Sequence, residues 1–381
     1  MKAKIAEFIK KEVVLVVATV LAIGSAFVVP PSLAYMEYID WHVLELLLCL
    51  MTVMAGLQKC GLFDWLGEAL LGKTNKVWQL CLVLVMLCFF LSMLITNDVA
   101  LITFVPFAIV TLEKCKMERL LIPVVVLQTV AANLGSMLTP IGNPQNLYLY
   151  NLSEMGLGEF ILCMLPNTIL SFVLILLSLL FVKGKQEEIV LQESGVMQGD
   201  TNKNGESKKI DKKQTFVYLV LFVLSLLVVA KVLSVEVVLG IVLIVVFCLD
   251  KSVLKNVDYC LLLTFISFFI FTGNLGNIAM IRDTLQALVN GRELLIGIVA
   301  SQAISNVPAA LLLSGFTSDY RALLAGVNVG GLGTLIASMA SLISYKILAN
   351  KYNEKKGKYF QWFTIVNVVF LIILFVFNLF I

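Results

Sequence analysis

Ser92-Met93-Leu94-Ile95-Thr96-Asn97-Asp98-Val99-Ala100 puts three polar residues in a row inside an apolar run that extends from Val77 to Leu112. In lipid every backbone polar group needs an internal partner, and an aspartate at that depth costs roughly 2.5–3.5 kcal/mol on insertion scales. A chain keeps Thr96, Asn97 and Asp98 there only if they face protein or water. The stretch Ile304-Ser305-Asn306-Val307-Pro308-Ala309 repeats the pattern, and the two align as Ile-(Thr/Ser)-Asn-x-x-Ala. Interrupted apolar segments in corresponding positions of two halves point to a transporter's binding site.

Composition sets the frame for that reading. The chain has 381 residues, 60% of them hydrophobic and 14% charged, with a mean hydropathy of +0.97. Soluble globules carry about 25% charged residues. We therefore expect an all-α polytopic membrane protein held by packing and internal hydrogen bonds rather than by burial from water. The eight cysteines form no C-x-x-C and mostly fall in apolar segments, which suits small packing residues rather than metal ligands or disulfides. The single histidine, His42, follows Trp41 at the start of a span, where an interfacial aromatic belt is expected.

Lysines 2, 4, 10 and 11 precede an apolar run, Val13–Val29, and Pro30-Pro31 ends it. A signal peptide is the other reading of this start, but the rest of the chain is also membrane. Trp41–Leu57 is a second span. Gly61–Leu71 collects Leu62, Trp65, Leu66, Ala69 and Leu70 on one face and Asp64 and Glu68 on the other, as an amphipathic helix in the interface does. After the polar triplet, Val99–Leu112 reaches about 21 Å, short of the roughly 30 Å hydrocarbon core, so a re-entrant hairpin fits best; two full spans are the alternative.

Leu120–Tyr150 is interrupted at Asn133-Leu134-Gly135-Ser136-Met137-Leu138-Thr139-Pro140-Ile141-Gly142-Asn143-Pro144-Gln145-Asn146. Two prolines and two glycines cannot continue an ordinary helix, so two half-helices joined by unwound backbone are expected. Phe160–Val182 is another span, and residues 183–214 are a polar linker. The second half runs through spans at Thr215–Ala230, Glu236–Leu249 and Val257–Thr272, then an amphipathic Ile278–Val289. A shorter hairpin with its tip at Ser305-Asn306, a second interrupted helix over Arg321–Leu348 and a last span, Phe360–Ile381, complete it. Gly326-x-x-x-Gly330 matches a helix-contact motif but lies beside the interruption, and we expect it to serve the break.

Asn133, Gly135, Thr139 and Tyr150 recur as Asn328, Gly330, Thr334 and Tyr345 at one constant offset. The expected organisation is a first repeat over 1–182, a cytoplasmic linker over 183–214, a linking span over 215–233 and a second repeat over 234–381. That makes about nine spans, two re-entrant hairpins and two broken helices. Corresponding spans lie five apart, and an odd offset inverts the second copy. With the N-terminus inside, every Lys and Arg except Lys231, Arg282, Arg292 and Arg321 falls on the cytoplasmic side, as the positive-inside rule requires. The C-terminus is then outside a cell (cytoplasmic) membrane.

Two tips entering from opposite faces can meet two unwound segments near the midplane. Half-helix N-termini there suit an anion, whereas unwound carbonyls and half-helix C-termini suit a cation such as Na⁺. Asp98 has Val307 as its counterpart. It can carry a proton, bind a cation, or cap the half-helix that follows. For Thr139 and Thr334 the plain alternative is bonding to their own backbone. No nucleotide-binding glycine loop, zinc motif or nucleophile elbow is present.

At these residues the chain resembles the citrate-transporter-like permeases of the ion transporter superfamily. That group includes arsenical pump membrane subunits, sodium/proton antiporters and divalent-anion:sodium symporters. The matching features are Thr96-Asn97-Asp98, Asn133-x-Gly135 through Thr139-Pro140-x-Gly142-Asn143-Pro144, Ser305-Asn306-x-Pro308, and Asn328-x-Gly330 with Thr334. The resemblance implies that Asn97 and Asn306 hold sodium and carboxylate at the tips, and that one domain moves elevator-fashion, often within a homodimer. Asp98 and Val307 stand where threonine would be expected, which looks more like the arsenical-pump or antiporter branch. The function expected is an ion-coupled secondary transporter of a small anion or oxyanion, not an enzyme. The alternatives are a cation/proton antiporter, a channel or a membrane-embedded enzyme. No cofactor is expected beyond a coupling ion, Na⁺ or H⁺. The partners are a small ionic solute and the bilayer, and not nucleic acid.

Overall fold

A computed structural model of the chain describes residues 12–71, 74–182 and 211–381. The N-terminal lysines and most of the polar linker, 183–210, lie outside the described residues. The described chain is a set of α-helices joined by short turns. In the first half these are α1 (Val13–Ala26), α2 (Ala34–Tyr38), α3 (Trp41–Lys59), α4 (Leu62–Leu71), α5 (Val77–Leu91), α6 (Asn97–Lys114), α7 (Leu121–Ser136), α8 (Pro144–Leu152) and α9 (Leu157–Leu180). The second half contains α10 (Lys212–Val229), α11 (Val235–Asp250), α12 (Tyr259–Gly276), α13 (Ala279–Val289), α14 (Glu293–Ile304), α15 (Asn306–Leu313), α16 (Tyr320–Gly330), α17 (Met339–Lys351) and α18 (Lys356–Asn378).

Among the described residues, 7 helices are long and apolar enough to cross a bilayer, or up to 8 if the bent pair α13–α14 is one span. That pair turns by 112° at its break, which suits an amphipathic helix lying in the interface followed by an arm entering the membrane. The protein is an all-α polytopic membrane protein. Its halves present the same succession: a long helix, a short amphipathic one, a hairpin of two arms, a helix broken by unwound backbone, and a final long helix.

The centre is α7. The span Glu118–Ser136 is 89% buried inside the protein, whereas Val235–Asn256 is 22% buried and lies at the periphery. Both arms of the first hairpin pack on α7, as do α9, α17 and α18. Gln128, fully buried in α7, donates to the Leu84 carbonyl of α5 at 3.1 Å and the Phe104 carbonyl of α6 at 3.2 Å. One side chain thereby sets the height of both hairpin arms.

At the periphery α1 packs on α12 and α11 packs on α3, so each half lends its first long helix to the other. Close contacts need glycine here. A Cβ at Gly56 of α3 would lie 2.1 Å from the Tyr218 ring, and one at Gly273 of α12 would lie 2.4 Å from the Tyr38 ring. Gly56→Val is expected to push Tyr218 off α3 and cost about 1–3 kcal/mol, as overpacking does. A lowered melting temperature in detergent checks this.

Gly326 and Gly330 correct one expectation. A Cβ at Gly326 would meet the Leu294 carbonyl oxygen at 2.7 Å, and one at Gly330 the Ser301 hydroxyl at 2.8 Å. The motif therefore seats α16 against α14, doing the helix-contact work that its spacing permits. Its place beside the break is secondary.

Candidate functional site: two hairpin tips and two breaks

In the first tip, α5 ends in a tight turn in which Ile95 donates its N–H to the Leu91 carbonyl at 2.8 Å. Helix α6 then starts at Asn97. Asn97 is buried, and its amide works in both directions. Nδ2 donates to Asn133 Oδ1 at 3.1 Å, and Oδ1 accepts the N–H of Asp98 at 2.9 Å. Thr96 precedes the helix without a side-chain capping bond. Asp98 Oδ1 is shielded from solvent and has no hydrogen-bond partner, so that oxygen does not cap the half-helix.

The second tip is tighter. Helix α14 ends at Ile304, and Ser305 has φ +75° and ψ 154°, a strained conformation for a residue with a Cβ. Strain of this kind costs on the order of 1–3 kcal/mol and gathers at functional turns. The Asn306 N–H then donates to the Ala337 carbonyl at 2.9 Å, while Asn306 Oδ1 accepts the Val307 N–H at 3.0 Å. Asn97 and Asn306 thus fold back on the next residue in the same way.

The breaks fall where glycine and proline interrupt the apolar pattern. Helix α7 stops at Ser136 and α8 resumes at Pro144, with Asn143 capping it by accepting the Asn146 N–H at 3.0 Å. Helix α16 stops at Gly330 and α17 resumes at Met339. The breaks are closed by bonds that cross between the halves. Asn133 Oδ1 accepts from Ser338 Oγ at 3.0 Å, and Asn133 Nδ2 donates to Ser341 Oγ at 3.2 Å. Asn328 Oδ1 accepts from Asn143 Nδ2 at 3.2 Å, and Asn328 Nδ2 donates to Asn146 Oδ1 at 2.7 Å. The offset that carries Asn133 to Asn328 also carries Asn143 to Ser338 and Asn146 to Ser341. Each break is answered by the other's counterpart residues.

Both tips reach this crossing. Asn97 arrives through Asn133 to Ser338, and Asn306 arrives at Ala337, the adjacent residue. The threonines reach across as well: Thr139 Oγ1 donates to the Met93 carbonyl at 2.5 Å and Thr334 Oγ1 to the Gln302 carbonyl at 3.3 Å. They tie each break to the hairpin beside it rather than to their own helix. Gly135 and Gly142 permit backbone contact, since a Cβ at either would lie 2.0 Å from a carbonyl oxygen, of Phe89 and Ser136 respectively. Asn143, Asn328, Asn97, Asn306, Ser305 and Asn133 are all buried; Thr139 is half-buried and Thr334 exposed.

Sequence reading missed Ser338, Ser341 and Gln302, and it placed Gln145 and Asn146 in the interrupted stretch without assigning them to the site. The constant offset would have found the two serines as counterparts of Asn143 and Asn146. Gln145, in the first turn of α8, is 1% exposed. Neither polar atom of its amide has a partner. With Asp98 Oδ1, the region therefore has unused buried hydrogen-bonding capacity, which native structures rarely leave without reason.

Comparison with known proteins follows the same line. The citrate transporter family matches residues 5–319. An uncharacterized transporter of Methanocaldococcus jannaschii is 33% identical over 88% of this chain and 88% of its own length. The inner membrane protein YbiR of Escherichia coli is 30% identical over 93% of this chain and 94% of its own. A silicon efflux transporter of Oryza sativa is 30% identical over 39% of this chain and 30% of its own.

Proposed function

Because the chain belongs to the citrate transporter family, and is a membrane transporter of that type, we propose that it is an ion-coupled secondary transporter of a small anion or oxyanion. The observation that carries this reading is the crossing of two hairpin tips and two broken helices, with Gln145 and one oxygen of Asp98 left unpartnered in its neighbourhood. The N-terminal ends of α6, α8 and α17 supply partial positive charge of the kind that holds an anion without water. The name of the rice relative, a silicon efflux transporter, adds a silicon compound to the set worth testing.

The halves are proposed to be inverted repeats, 1–182 and 234–381, with the linking span between them. Support comes from the exchanged bonds of Asn133 and Asn328 and from the pairing of α1 with α12 and α11 with α3. Sidedness is proposed from the lysine distribution. Ion pairs agree with it: Glu113 with Lys351 and Glu118 with Lys355 join segments assigned to the cytoplasm, and Glu159 with Arg321 joins segments assigned outside. Movement would be elevator-like, with the hairpins and broken helices shifting against α1, α3, α10, α11 and α12, in a homodimer as such relatives often form.

Purified protein in vesicles, screened with oxyanions, silicic acid and di- and tricarboxylates under an imposed pH or sodium gradient, tests this. Asn97→Ala, Asp98→Asn and Asn306→Ala are each expected to abolish coupled flux while the protein stays folded in detergent. Normal transport by Asp98→Asn would remove the proposed charge role. A second reading, cation/proton antiport, is favoured by Asp98 alone. Proton-linked sodium movement with no dependence on an anion would select it and reject the first.

A further inference from the structure

The two breaks are filled by the same chemical device. In the first, Asn146 Nδ2 donates to the carbonyls of Ser136, Met137 and Thr139 at 3.2, 3.3 and 3.1 Å. In the second, Gln302 Nε2 donates to Gly330 and Leu332 at 2.7 and 3.0 Å, and to Ile298 of its own helix at 3.2 Å. Carbonyls only accept, so the nitrogen end of each carboxamide must face them. The oxygen ends are engaged too. Asn146 Oδ1 takes Asn328 Nδ2 at 2.7 Å, and Gln302 Oε1 takes the Thr334 N–H at 2.9 Å.

Converging carbonyls at the C-terminal end of a half-helix are what replaces a cation's water shell in transporters and channels. The ends of α7 and α16 also carry the negative pole of their helices. Here an amide nitrogen already occupies the point on which the carbonyls converge. Its two hydrogens help meet the demand of carbonyls freed by the break; of these, the Thr139 carbonyl also takes the Gly142 N–H at 3.3 Å. The second loop is shaped around its occupant: Gly333 has φ +98°, and a Cβ there would lie 2.4 Å from Gln302 Oε1. Asn146 and Gln302 come from different parts of the repeat pattern, one from α8 and one from α14. The same device therefore serves the two breaks from unrelated positions.

We propose that the carboxamide nitrogens of Asn146 and Gln302 stand where a coupling sodium ion would sit at each break, so that this chain moves its solute without sodium. The proposal rests on the reading of the chain as an ion-coupled transporter. Its test is separable from that reading because it needs no solute.

The experiment measures the melting temperature of the purified wild-type protein in sodium chloride against choline chloride at equal ionic strength. The expected result is no sodium-selective shift. A saturable, sodium-selective rise overturns the proposal. Gln302→Ala empties the second cage and is expected to melt lower in choline and to regain stability selectively in sodium. A folded Gln302→Ala that melts like wild type and ignores sodium also overturns it. Gln302→Lys keeps a tethered donor among the same carbonyls, so it is expected to fold and to remain indifferent to sodium. If Gln302→Lys instead requires sodium to reach wild-type stability, the proposal fails. Failure to find any transported solute would count against the transporter reading and leave these outcomes readable.

Discussion

Asn133→Leu is expected to cut solute flux in vesicles by roughly a hundredfold, taking about 1.4 kcal/mol per factor of ten. The size follows from what Asn133 holds. Its amide receives Asn97 Nδ2 and Ser338 Oγ and gives a hydrogen to Ser341 Oγ. Leucine has similar bulk and no polar atoms, so packing survives while three buried groups lose their partner. A buried polar group left unpaired costs roughly 1–3 kcal/mol. Some of that returns at Ser338, which stands at the N-cap of α17 and turns its hydroxyl to the first N–H groups of that helix. About 3 kcal/mol remains to loosen the first tip from α17. The variant is expected to insert and to melt within a few degrees of wild type, because α7 keeps its apolar contacts. Wild-type flux from a folded Asn133→Leu would show that the tip does not depend on this residue.

Gly135→Ala is expected to be worse for the protein as a whole. The added methyl would lie 2.0 Å from the Phe89 carbonyl oxygen and 2.7 Å from Ser92 Oγ. A backbone oxygen inside a helix cannot swing aside, so α5 and α7 must separate along the most extensive helix–helix contact among the described residues. Overpacking typically costs 1–3 kcal/mol, and a clash with backbone lies at or above the upper end of that range, about 3 kcal/mol. Both the melting temperature and the flux are expected to fall. Gly158→Ala is the matched control. A methyl there meets nothing within 4 Å, and the variant is expected to behave as wild type. Equal stability of the two variants would mean that α5 and α7 can part freely.

The tips and breaks were legible because their residues are wrong for their surroundings. Asn97 and Asp98 in an apolar run, and Pro140, Gly142 and Pro144 inside a helix-length segment, conflict with local preference. Such conflicts mark the irregular backbone of a membrane protein. Serine carries no such signal. Ser338 and Ser341 fit an apolar helix cheaply, because a hydroxyl can always bond its own backbone, and only the partner across the fold distinguishes them from filler. Gln302 was hidden for the opposite reason: a lone glutamine near a helix end reads as an exposed surface residue, and two of its three carbonyl partners, Gly330 and Leu332, exist only once α14 and the second break are adjacent. Gly326 was misread because a spacing that serves helix contact looks the same in sequence as glycines that loosen a turn.

The crossed bonds carry a consequence for biosynthesis. Ser338 and Ser341 lie 205 and 208 residues after Asn133, so Asn133 has Asn97 as a partner but waits in the membrane for the other two while the second half is still being translated. A nascent first half is therefore an incomplete object with costly amides held in oil, and it stays vulnerable to quality-control proteases until α17 arrives.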